Sequence, residues 1–264
     1  MTKRSILFFR ILFFIFLSAV SSESLSQHLE AKTLAIDTNS NGFYEYLHKG
    51  YSKERKYPLL IVLHGMGELG NGESDLPKVL RNGPMKLISN GTFPDSFVVN
   101  DKVYRFIVFA PQFIRWPWPG TTQAIVDYAV DHYAVDTTRI YLTGLSMGGG
   151  ATWECVGNSK KYAKKIAAVV PVCGASLADS TKAQTIAAAN LPVWATHNDG
   201  DRTVTVEYTH KYIQYINSAA VPPIEAAKKT IFPEKSHNAW TKTYDPQYRE
   251  NGLNVYEWML SHHR

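Results

Sequence analysis

The chain has 264 residues, 45% hydrophobic and 19% charged, with a net charge of +5. That balance specifies a globular protein with enough length for one large core, and it excludes a disordered or low-complexity chain. Setting aside residues 1–26 leaves +3, spread without a basic run, so nucleic acid is not an expected partner.

The first residues have the pattern of an export leader. Lys3 and Arg4 form a positive start, and Ile11 to Leu17 is an unbroken apolar run followed by small residues. Arg10 leaves the uncharged part too short to span a bilayer comfortably, so no stable membrane insertion is expected once the leader is removed. Cleavage is expected after Ser26, with Ser21 as the alternative. Residues 1–26 then form a signal peptide, residues 27–264 a single catalytic domain, and the protein is secreted or periplasmic.

The domain opens with two expected edge strands, Lys32–Ile36 and Phe43–His48, joined as an antiparallel hairpin through the turn-forming Asn39-Ser40-Asn41-Gly42. Short continuous apolar runs follow at Leu59–Leu63, Phe106–Ala110, Ile140–Thr143, Ala167–Val172 and Val193–Thr196. Runs of this kind suit parallel strands covered on both faces. Helical segments lie between them at Gln123–Tyr133, Ala151–Asn158 and Val206–Asn217, with a last strand at Lys229–Phe232 and a closing helix at Leu253–His262. The alternation specifies an α/β fold with a mostly parallel central sheet and helices on both faces. Function in such sheets sits on the loops just beyond the carboxyl ends of the strands.

The chemistry-bearing residues fall on those loops. Gly144-Leu145-Ser146-Met147-Gly148 stands between an apolar run and a helix, the strand–turn–helix setting in which a serine is presented as a nucleophile. A serine hydroxyl needs a positioned base, and in this setting the acid and then the histidine follow in sequence. Asp201 and Asp199 compete for the acid's role. Asp199 precedes Gly200 and has the character of a turn residue, whereas Asp201 has Val204 three residues on to anchor its loop, so Asp201 is the choice. His237, just past the last strand, is the base; His262 and His263 follow the closing helix, and His197 and His64 are read as structural. The developing oxyanion needs two backbone N–H groups. Met147 is one, and Met66 in His64-Gly65-Met66-Gly67-Glu68 is the other, with Gly65 the alternative. Trp116, Trp118 and Trp240 are candidate substrate-binding surfaces, each equally able to be packing residues. Cys155 and Cys173 are expected as buried free thiols, and no spacing implies a metal or cofactor.

Taken together, Leu63-His64-Gly65-Met66-Gly67-Glu68-Leu69-Gly70, Ala110-Pro111-Gln112, the stretch from Arg139 to Trp153, Pro171-Val172-Cys173-Gly174 and Ser236-His237-Asn238-Ala239-Trp240 resemble the α/β-hydrolase superfamily. Within it they look most like the phospholipase/carboxylesterase and polyhydroxybutyrate-depolymerase-like esterases, a group that includes predicted peptidases. The resemblance implies a Ser146–Asp201–His237 triad, oxyanion amides at Met66 and Met147, and no cofactor. Only one helix fits between Gly174 and Leu191, so no large lid is expected. The expected substrate is a small or polymer-borne carboxylic ester. A peptidase using the same triad is the alternative, and a sugar-binding module without turnover a remote one.

Overall fold

The computed structural model describes residues 28–264, so the expected leader lies outside the described residues. In chain order the elements are β1 (His28–Lys32), β2 (Gly42–Leu47), β3 (Tyr57–Leu63), α1 (Gly83–Ser89), β4 (Phe97–Val99), β5 (Lys102–Tyr104), β6 (Ile107–Gln112), α2 (Pro119–His132), β7 (Val135–Leu145), α3 (Met147–Asn158), α4 (Lys160–Lys165), β8 (Ala168–Val172), α5 (Ser180–Ala188), β9 (Trp194–Asn198), α6 (Glu207–Asn217), β10 (Lys228–Phe232), α7 (Trp240–Thr243) and α8 (Val255–Leu260). Eight strands form one sheet in the order β1-β2-β6-β3-β7-β8-β9-β10. From β6 to β10 every neighbouring pair is parallel, and β1 and β2 add an antiparallel hairpin at one edge. No helix among the described residues is long and apolar enough to cross a membrane.

The apolar runs form strands because both faces of the sheet are covered. Leu59, Ile61 and Leu63 of β3 face one layer, with Ile125 of α2, Trp153 of α3, Ile186 of α5 and Tyr212 of α6. Leu60 and Val62 face the other, with Met85 of α1 and Tyr256 and Met259 of α8. Alternate side chains of a strand point to opposite faces, so a strand between two helical layers has no polar side and reads as a continuous apolar run.

Two expectations shift. The first strand ends at Lys32, where it was expected to begin, because Lys32 pairs with Phe43 and His28 with Leu47. The residues beyond it fold on themselves: the Asp37 carboxylate accepts from the Asn39 amide at 2.8 Å, and the Ile36 amide donates to the Ser40 carbonyl at 2.9 Å. The second is the β4–β5 hairpin with α1, which no sequence pattern announced. Their strands are three residues long, too short to show a period.

The tightest packing lies where β7 turns into α3. A Cβ on Gly148 would stand 2.1 Å from the Leu63 carbonyl oxygen, and one on Gly144 would stand 2.4 Å from the Gly148 backbone. Helix α3 therefore rests its first turn directly on the ends of β3 and β7. Gly148→Ala is expected to destabilise the fold by about 3 kcal/mol or more, because the obstacle is backbone rather than a movable side chain. Chemical denaturation measures this, and an unchanged midpoint would refute the close approach.

Candidate active site

Ser146 sits between β7 and α3 with φ 54° and ψ −115°, a backbone conformation that side chains other than glycine rarely adopt. The strain is held in place from several sides. The Ser146 amide donates to the Val172 carbonyl at 2.9 Å, and its own carbonyl accepts from Gly150 at 2.9 Å and Ala175 at 3.0 Å. The turn lifts the side chain out of the sheet at the positive end of α3.

His237 and Asp201 arrive from loops following β10 and β9. The His237 ring stands with Nε2 2.8 Å from Ser146 Oγ and Nδ1 2.6 Å from Asp201 Oδ2. The partners fix the tautomer: Nδ1–H donates to the carboxylate, and Nε2 accepts from the serine hydroxyl. The Asp201 side chain is fully buried, and its other oxygen accepts from the amides of Thr203 at 2.8 Å and Val204 at 3.0 Å. These amides fix the carboxylate's rotamer. Asp199 takes no part in this chain of hydrogen bonds: its amide donates to the Phe232 carbonyl at 2.9 Å, next to β10.

His197 contributes to the same site from within β9. Its Nε2 lies 3.0 Å from the Val204 carbonyl and 3.3 Å from Asp201 Oδ2, and its Nδ1 lies 2.8 Å from Thr209 Oγ1. Two acceptors at Nε2 place the proton there, leaving Nδ1 to accept from threonine. Burial holds its affinity for a second proton below that of a free imidazole. His197 is thus a neutral donor that braces the loop carrying Asp201.

The loop after β3 is ordered by a second buried histidine. His64 Nε2 accepts from the Phe113 amide at 2.9 Å, which puts the proton on Nδ1, and Nδ1–H donates to the Gly65 carbonyl at 2.7 Å. In a trans peptide the carbonyl and the next N–H point in opposite directions. Holding the Gly65 carbonyl therefore aims the Met66 N–H the other way. Met66 opens a short 3₁₀ turn, Met66–Glu68, and Met147 opens α3, so both residues stand at helix starts where amides lack an acceptor within the helix. The Met66 side chain is exposed and that of Met147 is buried.

The three tryptophans separate. Trp116 and Trp118 line an open cleft of about 590 Å³ with Glu154, Ala175, Ser176 and Leu177. Trp118 is 64% exposed and Leu177 70%, a concentration of apolar surface unusual for a loop region. The cleft adjoins Ser146, since Ala175 bonds the Ser146 carbonyl and the Trp116 ring lies against Gly150. Glu154 is a strut in its wall, tied to Ser176 Oγ at 2.6 Å and Lys182 Nζ at 2.5 Å. Trp240 lies elsewhere, edge-on to the His237 ring at 5.3 Å between centroids. Between β8 and β9 the only helix is α5, nine residues long, so that segment contains no element of lid size.

Both cysteines are free and buried, as expected. Cys173 directly follows β8 with φ 39°, and its sulfur, an Asp201 carboxylate oxygen and a His237 ring nitrogen lie within 4.8 Å of one another. The donor set is a poor one for a metal: Asp201 and His237 are committed to each other, and burial pushes the Cys173 thiol up to about 12.

No protein-family profile matches the chain. Over 199 residues it is 29% identical to a bifunctional acetylxylan esterase/xylanase of Neocallimastix patriciarum, a match covering 72% of this chain and 26% of that protein. The structure of a thermostable esterase matches with a TM-score of 0.62 at 22% identity, covering 90% of this chain and 63% of the other. The feruloyl esterase module of Clostridium thermocellum, in complex with sinapinate, matches with a TM-score of 0.55 at 17% identity, covering 81% of this chain and 82% of the module. The chain therefore spans about a quarter of the curated relative and under two thirds of the thermostable esterase. With the strand order and the strand–Ser146–helix turn, these likenesses establish an α/β-hydrolase fold.

The buried histidines give the fold a sensitivity to acid. Burial holds His64 down to about 4, against about 6.5 for a free imidazole. Between those values the unfolded chain binds a proton that the folded chain does not. Stability is thus full above about 6.5 and falls as the pH drops toward 4, and His197 acts in the same direction. The melting temperature is expected to hold from pH 8 to pH 7 and to fall between pH 6.5 and pH 4.5. A level profile across that window would contradict the assignment.

Proposed function

We propose that this protein is a serine hydrolase that cleaves carboxylic esters through an acyl-enzyme, with Ser146 as nucleophile, His237 as general base and Asp201 as its orienting acid. The observation that carries the reading is the continuous chain Ser146 Oγ to His237 Nε2 at 2.8 Å and His237 Nδ1 to Asp201 Oδ2 at 2.6 Å. A nucleophile is useful only when a base in hydrogen-bond reach can take its proton, and this arrangement meets that requirement without rearrangement.

In the proposed cycle Ser146 Oγ attacks the ester carbonyl carbon while its proton passes to His237 Nε2. The Met66 and Met147 amides receive the charge on the former carbonyl oxygen, and Asp201 stabilises the imidazolium. The tetrahedral intermediate collapses, the leaving alcohol takes the proton from Nε2, and the acyl group stays on Ser146. Water enters, His237 removes its proton, and attack on the acyl carbon releases the acid and restores the serine.

The substrate class we propose is an ester borne on a sugar polymer. Two features support it. Trp116 and Trp118 form an open apolar wall beside Ser146 that a sugar ring can lie against, and a relative with 29% identity is named for acetylxylan ester cleavage. An open cleft admits an internal position on a chain as well as an end. The reading of residues 1–26 as a leader would place the protein outside the cytoplasm, where such polymers are met.

A fluorophosphonate probe and p-nitrophenyl acetate test the chemistry. The protein is expected to be labelled and to hydrolyse the ester, Ser146→Ala to lose labelling and all but a ~10⁻⁴ to 10⁻⁶ fraction of turnover, and Asp201→Asn to lose roughly 10⁴-fold in kcat. Labelling that survives in Ser146→Ala would refute the nucleophile. For the substrate class, Trp118→Ala is expected to raise KM for an acetylated xylo-oligosaccharide by about tenfold while changing p-nitrophenyl acetate by less than about twofold. An equal effect on both, or a peptide cleaved faster than every ester, would overturn the sugar-borne reading.

A further inference from the structure

Two loops that must be in register for the proposed chemistry start far apart in the sheet. The loop carrying Gly65 and Met66 follows β3, and the loop carrying His237 follows β10, four places away in the strand order. At about 4.8 Å per strand the two strand ends stand roughly 19 Å apart. The sheet alone cannot hold their tips to the tolerance that catalysis requires.

A hydrogen-bonded bridge joins them on the face away from the tryptophan cleft. Trp240 Nε1–H donates to Asn82 Oδ1 at 3.1 Å, and Asn82 Nδ2–H donates to Glu68 Oε1 at 2.8 Å. At one end Trp240 presents its ring edge-on to His237, at 5.3 Å and 86°. At the other, Glu68 is 6% exposed and closes the 3₁₀ turn that begins at Met66. Its amide donates to the Gly65 carbonyl at 3.2 Å, and its own carbonyl accepts from Gln112 Nε2 at 2.9 Å. Its second carboxylate oxygen lies 3.0 Å from where a Cβ on Gly65 would be, a point itself 3.6 Å from Ser146 Cβ.

Asn82 is the informative member. It occupies the residue before α1, where asparagine ordinarily turns its side chain back to cap the helix, a contribution of about 1 kcal/mol. Here it makes no cap hydrogen bond, and both ends of its amide are used for the bridge. Pro84, at the second helical position, has no N–H to be capped, which lowers what capping would have contributed. The side chain is spent on joining two loops in place of finishing its own helix.

We infer that Glu68, Asn82 and Trp240 form a positioning bridge that sets the spacing between the oxyanion loop and the His237 ring, so that the base and the oxyanion amides are held to one geometry. The inference rests on the hydrolase reading above, and it replaces the expectation that Trp240 is a surface for substrate. These residues are positioning residues: they act through His237 and through the Gly65–Met66 peptide. Loss of the bridge should slow the chemical step and leave substrate affinity nearly unchanged.

A charge swap tests it. Asn82→Asp sets two carboxylates at the 2.8 Å contact and removes the donor to Glu68, so the bridge opens. At pH 8 this variant is expected to lose roughly tenfold in kcat with KM within about twofold. Adding Glu68→Gln restores a donor–acceptor pair with the polarity reversed, because the Gln amide donates to the Asp carboxylate. The double variant is expected to recover most of the kcat. Trp240→Phe keeps the ring and removes the donor, and should match Asn82→Asp. Hydrogen exchange of the Trp240 indole N–H, followed by NMR, reads the Trp240–Asn82 half of the bridge without reference to activity: protected in the wild type, in Asn82→Asp and in the double variant, all of which keep an acceptor oxygen at position 82, and fast in Asn82→Ala. If Asn82→Asp retains wild-type kcat, or its loss is not recovered in the double variant, the bridge is not a positioning device. If the wild type itself is neither labelled nor active, the hydrolase reading fails instead, while the exchange measurement still reports whether the Trp240–Asn82 half of the bridge exists.

Discussion

The absence of a Cβ at Gly148 allows the first turn of α3 to rest on the carbonyl end of β3, and the rest of the site depends on that contact. With the turn seated there, the chain between β7 and α3 passes through a positive φ at Ser146. The strain is local, but the structure that maintains it is wide. Hydrogen bonds from Ser146, Gly150 and Ala175 tie the elbow to β8 and to the loop beyond it. The same contact sets the depth at which the serine oxygen stands, and so the positions that the loops after β3, β9 and β10 must reach.

The loops after β3 and β9 are each stiffened by a buried histidine, and a half-buried asparagine at the start of α1 ties the loop after β3 to the one after β10. His64 holds the Gly65 carbonyl, His197 braces the turn that presents Asp201, and Asn82 spans from Glu68 to Trp240. Two neutral histidines and an amide thus support one acid and one base. At His197 a neutral ring has a physical reason: in an environment of low dielectric, a second full charge beside Asp201 would shift the very protonation states that the proposed chemistry uses.

The strands of the parallel sheet and the order of serine, acid and histidine were legible because each is encoded locally. Leu59–Leu63 needs two covered faces and so is apolar throughout, while Gly144 and Gly148 record a steric demand that only glycine meets. The position of the first strand was not legible. Residues 33–36 have strand-like composition, and only the pairing of Lys32 with Phe43 shows that they belong to the loop. The contacts of Trp240 were not legible for a related reason. Its sequence places it three residues after His237, which fits a pocket wall as well as a brace, and its partner Asn82 lies 158 residues away. Pairings across that separation leave no trace in local pattern. His197 and His64 were recognised as structural, but their hydrogen-bond partners were not legible: His64 takes the Phe113 amide from a loop 49 residues on, and His197 bonds to Val204 and Thr209 only once the segment after β9 has folded back on it.

Cys173 carries a last consequence. A sulfur atom lies beside the carboxylate and imidazole that are hydrogen-bonded in line with Ser146, and a thiol is by nature the easier of the two groups to activate. The site nonetheless leaves it inert. Its side chain lies beneath the surface, and burial raises the thiol to about 12, which keeps it in the protonated, weakly nucleophilic form near neutral pH. Access, rather than intrinsic reactivity, decides between the two: oxygen faces the substrate and sulfur serves as filler. The positive φ at Ser146 and the burial of Cys173 together leave the serine oxygen, at 2.8 Å, as the group hydrogen-bonded to His237 Nε2.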